Sequence, residues 1–243
     1  INAAVVADGM MKGGPEGARD NLERFWHEIS RFGQSSPVRR SVFDMFNGNW
    51  NLDHSPGYVA FDLSTRLASP YQLNPSNINP LKDLIAQMVD FERVRQCDRL
   101  RLFVSATHVQ TGRVRVFSHD ELSPSVIMAS ACLPFLFQAE EIDGQSYWDG
   151  GYMGNPVLFP LYYHCTSRDI LIVQINPLCC QHTPKSAKEI LNRVNEINFN
   201  SSLLSELRAV NFVARLVEAG KLDPARYKQV LVHMISAQQS FEA

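Results

Sequence analysis

Tyr147-Trp148-Asp149-Gly150-Gly151-Tyr152-Met153-Gly154-Asn155-Pro156 is the stretch from which the rest of the chain is read. A short hairpin leads into it: Glu140-Glu141-Ile142, the pair Asp143-Gly144, then Gln145-Ser146-Tyr147-Trp148. Asp-Gly between two short runs is a strong hairpin signal, because both positions of the favoured two-residue turn need positive φ. The returning strand is therefore expected to end at Asp149 and to present its carboxylate there. Gly150 and Gly151 then permit a sharp reversal and the close approach of another segment. Taken alone, Asp-Gly-Gly is an ordinary turn, since Asp and Gly dominate turns for local reasons.

The segment upstream changes that reading. Ser123-Pro124-Ser125-Val126-Ile127-Met128-Ala129-Ser130-Ala131-Cys132-Leu133-Pro134 predicts a short helix, capped by Ser123, opened by Pro124 and stopped by Pro134. Its small residues Ala129, Ser130 and Ala131 suit close packing against a sheet. The order of small-residue helix, Pro134-Phe135-Leu136-Phe137, hairpin, Asp149-Gly150-Gly151 and Asn155-Pro156 resembles the C-terminal signature block of the patatin-like phospholipases. Phe103-Val104-Ser105-Ala106-Thr107 with Thr111-Gly112 resembles that family's central strand and hairpin. Gly48-Asn49-Trp50-Asn51-Leu52 and Tyr71-Gln72-Leu73-Asn74-Pro75 are similar to its bacterial members in particular.

Composition sets the outer bounds. A chain of 243 residues, 45% hydrophobic and 20% charged, is long enough for a substantial core and reads as one globular domain spanning residues 1–243. A formal net charge of −2, with no long Lys/Arg run, argues against a general nucleic-acid binder. Cys97, Cys132, Cys165, Cys179 and Cys180 have no metal-ligand spacing and make a poor disulfide framework, which points to reduced thiols in a cytoplasmic protein. No apolar run approaches the roughly 20 residues that span a bilayer. The apolar start Ile1-Asn2-Ala3-Ala4-Val5-Val6-Ala7 has no basic leader and no initiator Met, so the chain is expected to begin partway through a domain.

In chain order, residues 1–11 read as a helix without a cap, ended by Asp8-Gly9 and Gly13-Gly14-Pro15. Residues 16–32 carry Leu22, Phe25, Trp26, Ile29 and Phe32 at helical spacing, a core-facing stripe. Residues 33–80 are turn-rich and aromatic, around a short helix at Asp62-Leu63-Ser64-Thr65-Arg66-Leu67. Long irregular segments in compact domains are often lids or binding loops; a surface loop packed by its own aromatics is the plainer reading. Asn79-Pro80 opens a clear helix. Leu100-Arg101-Leu102-Phe103-Val104-Ser105-Ala106 and Arg113-Val114-Arg115-Val116-Phe117 predict strands joined at Thr111-Gly112. The continuous apolar run Ile170-Leu171-Ile172-Val173-Gln174-Ile175 predicts a strand buried on both faces. From Thr183 the chain is helical, with stripes at Ile190, Leu191, Val194 and Ile197 and again from Leu203 to Val217, before a last strand at Gln229-Val230-Leu231-Val232-His233-Met234-Ile235. Strands alternating with helices give an α/β domain. The resemblance sharpens this to a three-layer α/β/α domain with a mainly parallel central sheet.

The chemistry follows from the resemblance. In the patatin-like phospholipases the Asp of Asp-Gly-Gly partners a serine nucleophile, and Asp149 is the matching position. Their Gly-x-Ser-x-Gly motif stands directly before a helix whose start resembles Ile1-Asn2-Ala3-Ala4, so the serine is expected about four residues upstream of Ile1, on a strand-to-helix elbow. The glycine-rich oxyanion loop would lie further upstream. Neither motif occurs within residues 1–243, and this chain alone is expected to be inactive. His27, His54, His108, His119, His164, His182 and His233 are scattered, which suits a dyad rather than a Ser-His-Asp triad. A carboxylate is a weak base for serine, so a dry strand end beside Trp148 would help by raising the basicity of Asp149. Gly150 and Gly151 would let the elbow come within reach, and Asn155 would hold the turn through its amide or simply form it. Phe135, Phe137 and Met153 are expected to line the acyl chain, on nearness in sequence alone, with residues 33–80 as a cap.

The leading expectation is thus a serine hydrolase of carboxylic esters in phospholipids or other acyl lipids. It needs no cofactor, and no cluster of metal-ligand spacing is present. Its partners would be a lipid or ester substrate, a membrane surface contacted peripherally, and an N-terminal fragment completing the sheet. No basic amphipathic helix argues for the membrane contact. The alternatives are a catalytically inactive lipid-binding or interaction domain of the same fold, and an esterase acting on a non-phospholipid ester. A sheet missing an interior strand would expose apolar surface and unpaired backbone, which weighs against the first of these.

Overall fold

The computed structural model describes the chain except residues 37, 41–44, 47, 49–51, 53–54, 181 and 237–243. Most of Gly48-Asn49-Trp50-Asn51-Leu52 therefore lies outside the described residues. The chain forms two compact units, Ile1–Gly150 and Gly151–Phe241.

The first unit opens with α1 (Asn2–Ser35), which breaks at Gly13 (φ −153°, ψ 26°) and Gly14 (φ 63°, ψ −147°) just before Pro15. The break matches the expected boundary between two helices, but Asp8-Gly9 ends nothing. Asp8 is fully buried. Its carboxylate accepts from Asn21 Nδ2 at 2.9 Å and Arg93 at 2.9 Å, and pairs with Lys12. A buried charge must be paired and hydrogen-bonded, and this one joins the two halves of α1 to a later helix.

Then follow α2 (Pro56–Leu67), α3 (Pro70–Leu73), α4 (Pro80–Met88) and α5 (Phe91–Arg95). Asn79 caps α4 by accepting from the Lys82 N–H at 3.2 Å, as its side chain predicts. Strands β1 (Val104–His108) and β2 (Val114–Phe117) form a hairpin. Helix α6 (Pro124–Ala129) buries Val126, Ile127, Met128 and Ala129 and is capped by Ser123. It is shorter than expected: the Ala131 and Cys132 N–H groups bond three residues back, so the chain tightens into a turn well before Pro134. Strands β3 (Glu140–Ile142) and β4 (Gln145–Asp149) complete a four-stranded sheet in the order β2-β1-β4-β3. The core gathers Val5, Phe25, Ile85, Val94, Leu122, Ile127 and Met128 from α1, α4, α5, α6 and the segment between β2 and α6.

The second unit contains α7 (Phe159–His164), β5 (Asp169–Gln174), α8 (Ala187–Glu218) and β6 (Leu231–Ser236). Both predicted apolar stripes lie on the single helix α8. Strands β5 and β6 pair in parallel, and Ile170 and Ile172 pack with Leu158 and Leu203.

The class is α/β. Two expectations need correction. The larger sheet is antiparallel throughout, because hairpins join β1 to β2 and β3 to β4; parallel pairing occurs between β5 and β6. Strand β5 is buried on one face only: Ile170, Ile172 and Gln174 are covered, whereas Leu171 and Val173 are 58% and 69% exposed. A continuous apolar run satisfies either pattern, and only one face of β5 meets the buried cluster of this unit.

Candidate active site

The hairpin turn is formed as its residues require, with Asp143 at φ 51° and Gly144 at φ 72°. It sets the register Ile142↔Gln145 and Glu140↔Tyr147 between β3 and β4; β4 also pairs with β1, Ala106↔Asp149 and Thr107↔Trp148, and ends at Asp149 as expected. The main chain of Asp149 is held from two sides. Its N–H donates to the Cys132 carbonyl at 2.9 Å, in the tight turn after α6. Its carbonyl accepts from the hydroxyl of buried Thr107 at 2.8 Å.

Gly150 is buried against β1. A Cβ there would stand 2.2 Å from the Ser105 carbonyl oxygen and 2.5 Å from its hydroxyl, so only glycine fits without moving backbone. Cys132 is buried, and its thiol donates to the Gln138 carbonyl at 3.1 Å. Burial pushes this thiol up to about 11, with the carboxylates of Glu140 and Asp149 adding to the rise. It stays protonated at neutral pH and is no nucleophile.

The start of α1 belongs to the same neighbourhood. Ile1 is half-buried and packs, with Ala4 and Val5, in the core cluster that includes Ala106, the β1 partner of Asp149.

Other expected residues distribute as follows. Phe135 is 71% exposed and Phe137 is half-buried, both in the turn after α6, where the Leu136 and Phe137 N–H groups bond to the Leu133 carbonyl. Gly151, Met153 and Asn155 belong to the second unit. There the ring of Tyr152 lies 5.3 Å from that of Phe199, and the Asn155 main-chain N–H donates to Ser202 Oγ at 3.0 Å. Asn155 also lines a cavity of about 230 Å³ with Ile172, Gln174, Asn200 and Leu203. His108 is engaged by Gln145 and Thr111, and His233 by Asp169. Sequence reasoning passed over Thr107, Cys132 and Ser105. Their small polar side chains are individually uninformative, and only the strand register and the turn after α6 bring them to Asp149.

Among the described residues, no group of three or more His, Cys, Asp or Glu side chains is placed to hold a metal ion. Among them, too, no helix is long and apolar enough to cross a membrane.

The family model for patatin-like phospholipases matches residues 1–162, well over half of the chain. The chain therefore belongs to the patatin-like phospholipase family, whose members are lipid acyl hydrolases. No curated protein matches it by sequence.

Proposed function

We propose that Asp149 is the base of a Ser–Asp dyad that hydrolyses carboxylic esters of phospholipids or other acyl lipids, with its serine upstream of Ile1. The observation that carries this reading is the fixed carboxylate-bearing strand end, paired with β1, whose Ala106 shares one core cluster with the start of α1. A serine on an elbow directly before α1 would meet that carboxylate. The serine Oγ would attack the ester carbonyl as its proton passes to Asp149. The leaving alcohol would take that proton, and water would then release the acyl group by the reverse sequence. Such a dyad is cofactor-free. Gly150 and Gly151 would keep the approach open, and Asn155 would hold the chain beyond the turn.

Residues 33–80 are the proposed cap over the acyl chain. In support, α2 buries no residue and exposes Val59, Leu63 and Leu67 along one stripe. The end of the segment is fastened beside Phe135 and Phe137: Gln138 Nε2 donates to the Asn74 carbonyl at 2.7 Å, and the Ala139 N–H to the Tyr71 hydroxyl at 3.2 Å. Phe135, Phe137 and Met153 are the proposed acyl contacts. The same exposed stripe supports peripheral contact with lipid surfaces. The uncovered Leu171 and Val173 of β5 support an N-terminal segment that completes the packing. The five free thiols suit a cytoplasmic setting.

The test is fluorophosphonate labelling of the full-length protein, with the labelled peptide identified by mass. A label on a serine just upstream of Ile1 supports the dyad. Lipid binding without any label would instead favour an inactive lipid-binding domain.

A further inference from the structure

We propose that Thr107 is a positioning residue for Asp149, an inference that rests on the dyad reading above. Strand β4 ends at Asp149, which stands opposite Ala106 of β1. The Asp149 N–H is taken up by the Cys132 carbonyl, outside the sheet. The Thr107 hydroxyl, donating to the Asp149 carbonyl at 2.8 Å, is the bond from β1 that fixes the orientation of the last peptide unit. Thr107 is only 6% exposed, which shields this bond from competing water. Its β-branched side chain is also stiff at χ1, so the hydroxyl is held where it is needed.

Next in the chain, Gly150 is packed against the carbonyl of Ser105, two residues before Thr107 on the same strand. Strand β1 therefore grips the chain on both sides of the Asp149–Gly150 peptide, through a hydroxyl and through a steric contact. The carboxylate hangs from the Cα between the Cys132 and Thr107 anchors. Losing one anchor lets the peptide rotate and swings the carboxylate out of line. Misplacements on the order of 1 Å can cost about a hundredfold in rate.

The experiment compares Thr107→Val, which keeps shape and removes the donor, with Thr107→Ser, which keeps the donor. Both are made in the full-length protein and assayed with a chromogenic acyl ester. Thr107→Val is expected to lower kcat roughly tenfold to a hundredfold with KM unchanged, since Thr107 touches Asp149 and not substrate. Thr107→Ser is expected to recover most of the loss. A folded Thr107→Val with wild-type kcat overturns the proposal, even if its melting temperature falls. Should Thr107→Val not fold, Thr107→Cys, a close match to Thr107→Ser with a much weaker donor, replaces it. Equal kcat for the Cys and Ser variants then overturns the proposal. Asp149→Asn separates the two readings. Full activity in that variant sinks the dyad and Thr107's role together, whereas an inactive Asp149→Asn beside a fully active Thr107→Val sinks the positioning role alone.

Discussion

The two units treat similar features differently. In Ile1–Gly150 a carboxylate is held by partners from distant elements and out of solvent; in Gly151–Phe241 its counterpart is exposed. Asp8 is buried among Lys12, Asn21 and Arg93, while Asp169 pairs with His233 at side-chain exposures of 63% and 56%. The buried cluster of the second unit has four members, Leu158, Ile170, Ile172 and Leu203, so it has little to hold a residue rigidly. The well-packed unit carries Asp149 at its last strand end. The partners that hold the Asp149 main chain, Thr107 and Cys132, both belong to the first unit.

The largest expected effect is on the carboxylate itself. Asp149→Asn removes the proposed base and is expected to lower turnover by on the order of 10⁴-fold, with thermal stability little changed. Asn155→Ala, beyond the turn, is expected to cost far less. Comparable losses from the two variants would show that the catalytic demand for precision extends into the second unit.

Next is one substitution made in each unit. A Cβ at Gly150 meets the backbone of Ser105 at 2.2 Å, whereas a Cβ at Gly154 meets the tip of the Val157 side chain at 2.0 Å. Backbone cannot step aside without disturbing β1, but a valine side chain can change rotamer. Gly150→Ala is therefore expected to cost about 3 kcal/mol and Gly154→Ala about 1 kcal/mol, measured by urea unfolding. Equal costs would mean that β1 yields as readily as a side chain.

The ion pairs follow. Asp8→Ala is expected to cost about 3 kcal/mol, the low end for breaking a buried pair, because Arg93 and Lys12 are 36% and 39% exposed and can turn to water. Asp169→Ala, at an exposed pair, is expected to cost well under 1 kcal/mol. Chemical denaturation of the two variants checks both values.

The sequence predicts some of this and conceals the rest, along a physical line. Asp143-Gly144 and Asn79-Pro80 are readable because the turn and the cap are demands that neighbouring residues place on one another. The end of β4 at Asp149 follows from the same turn. By contrast, two of the partners of Asp8, Asn21 and Arg93, stand 13 and 85 residues away, and Thr107 stands 42 residues from Asp149. Nothing local in Ala106-Thr107-His108 says that its hydroxyl belongs to a distant carbonyl. The run Ile170-Leu171-Ile172-Val173 misleads for a related reason: hydrophobicity says which residues can be buried, and packing neighbours decide which of them are. The place of Asp149 at a strand end is legible through the Asp143-Gly144 turn. Its supports are not, because small polar residues gain their meaning from register.

The smallest expected effect is also the most local. Cys132 sits between the turn after α6 and Asp149, and burial raises its thiol from 9.0 to about 11. Between these values the unfolded chain has released a proton that the folded protein keeps. Stability must therefore fall as pH rises across that window, and this group contributes no pH dependence below it. Lysines and tyrosines also titrate there, but they are common to the wild type and Cys132→Ala. The difference between the two melting curves over pH 9–11 thus isolates the thiol. A shallower decline in Cys132→Ala is expected; parallel curves would mean that water reaches the thiol in solution and that the Cys132 side of the Asp149 clamp is looser than the Thr107 side. Gly150→Ala offers the complementary reading. If the clamp acts as one piece, displacing β1 from Gly150 should open the Cys132 pocket as well and remove the same part of the slope.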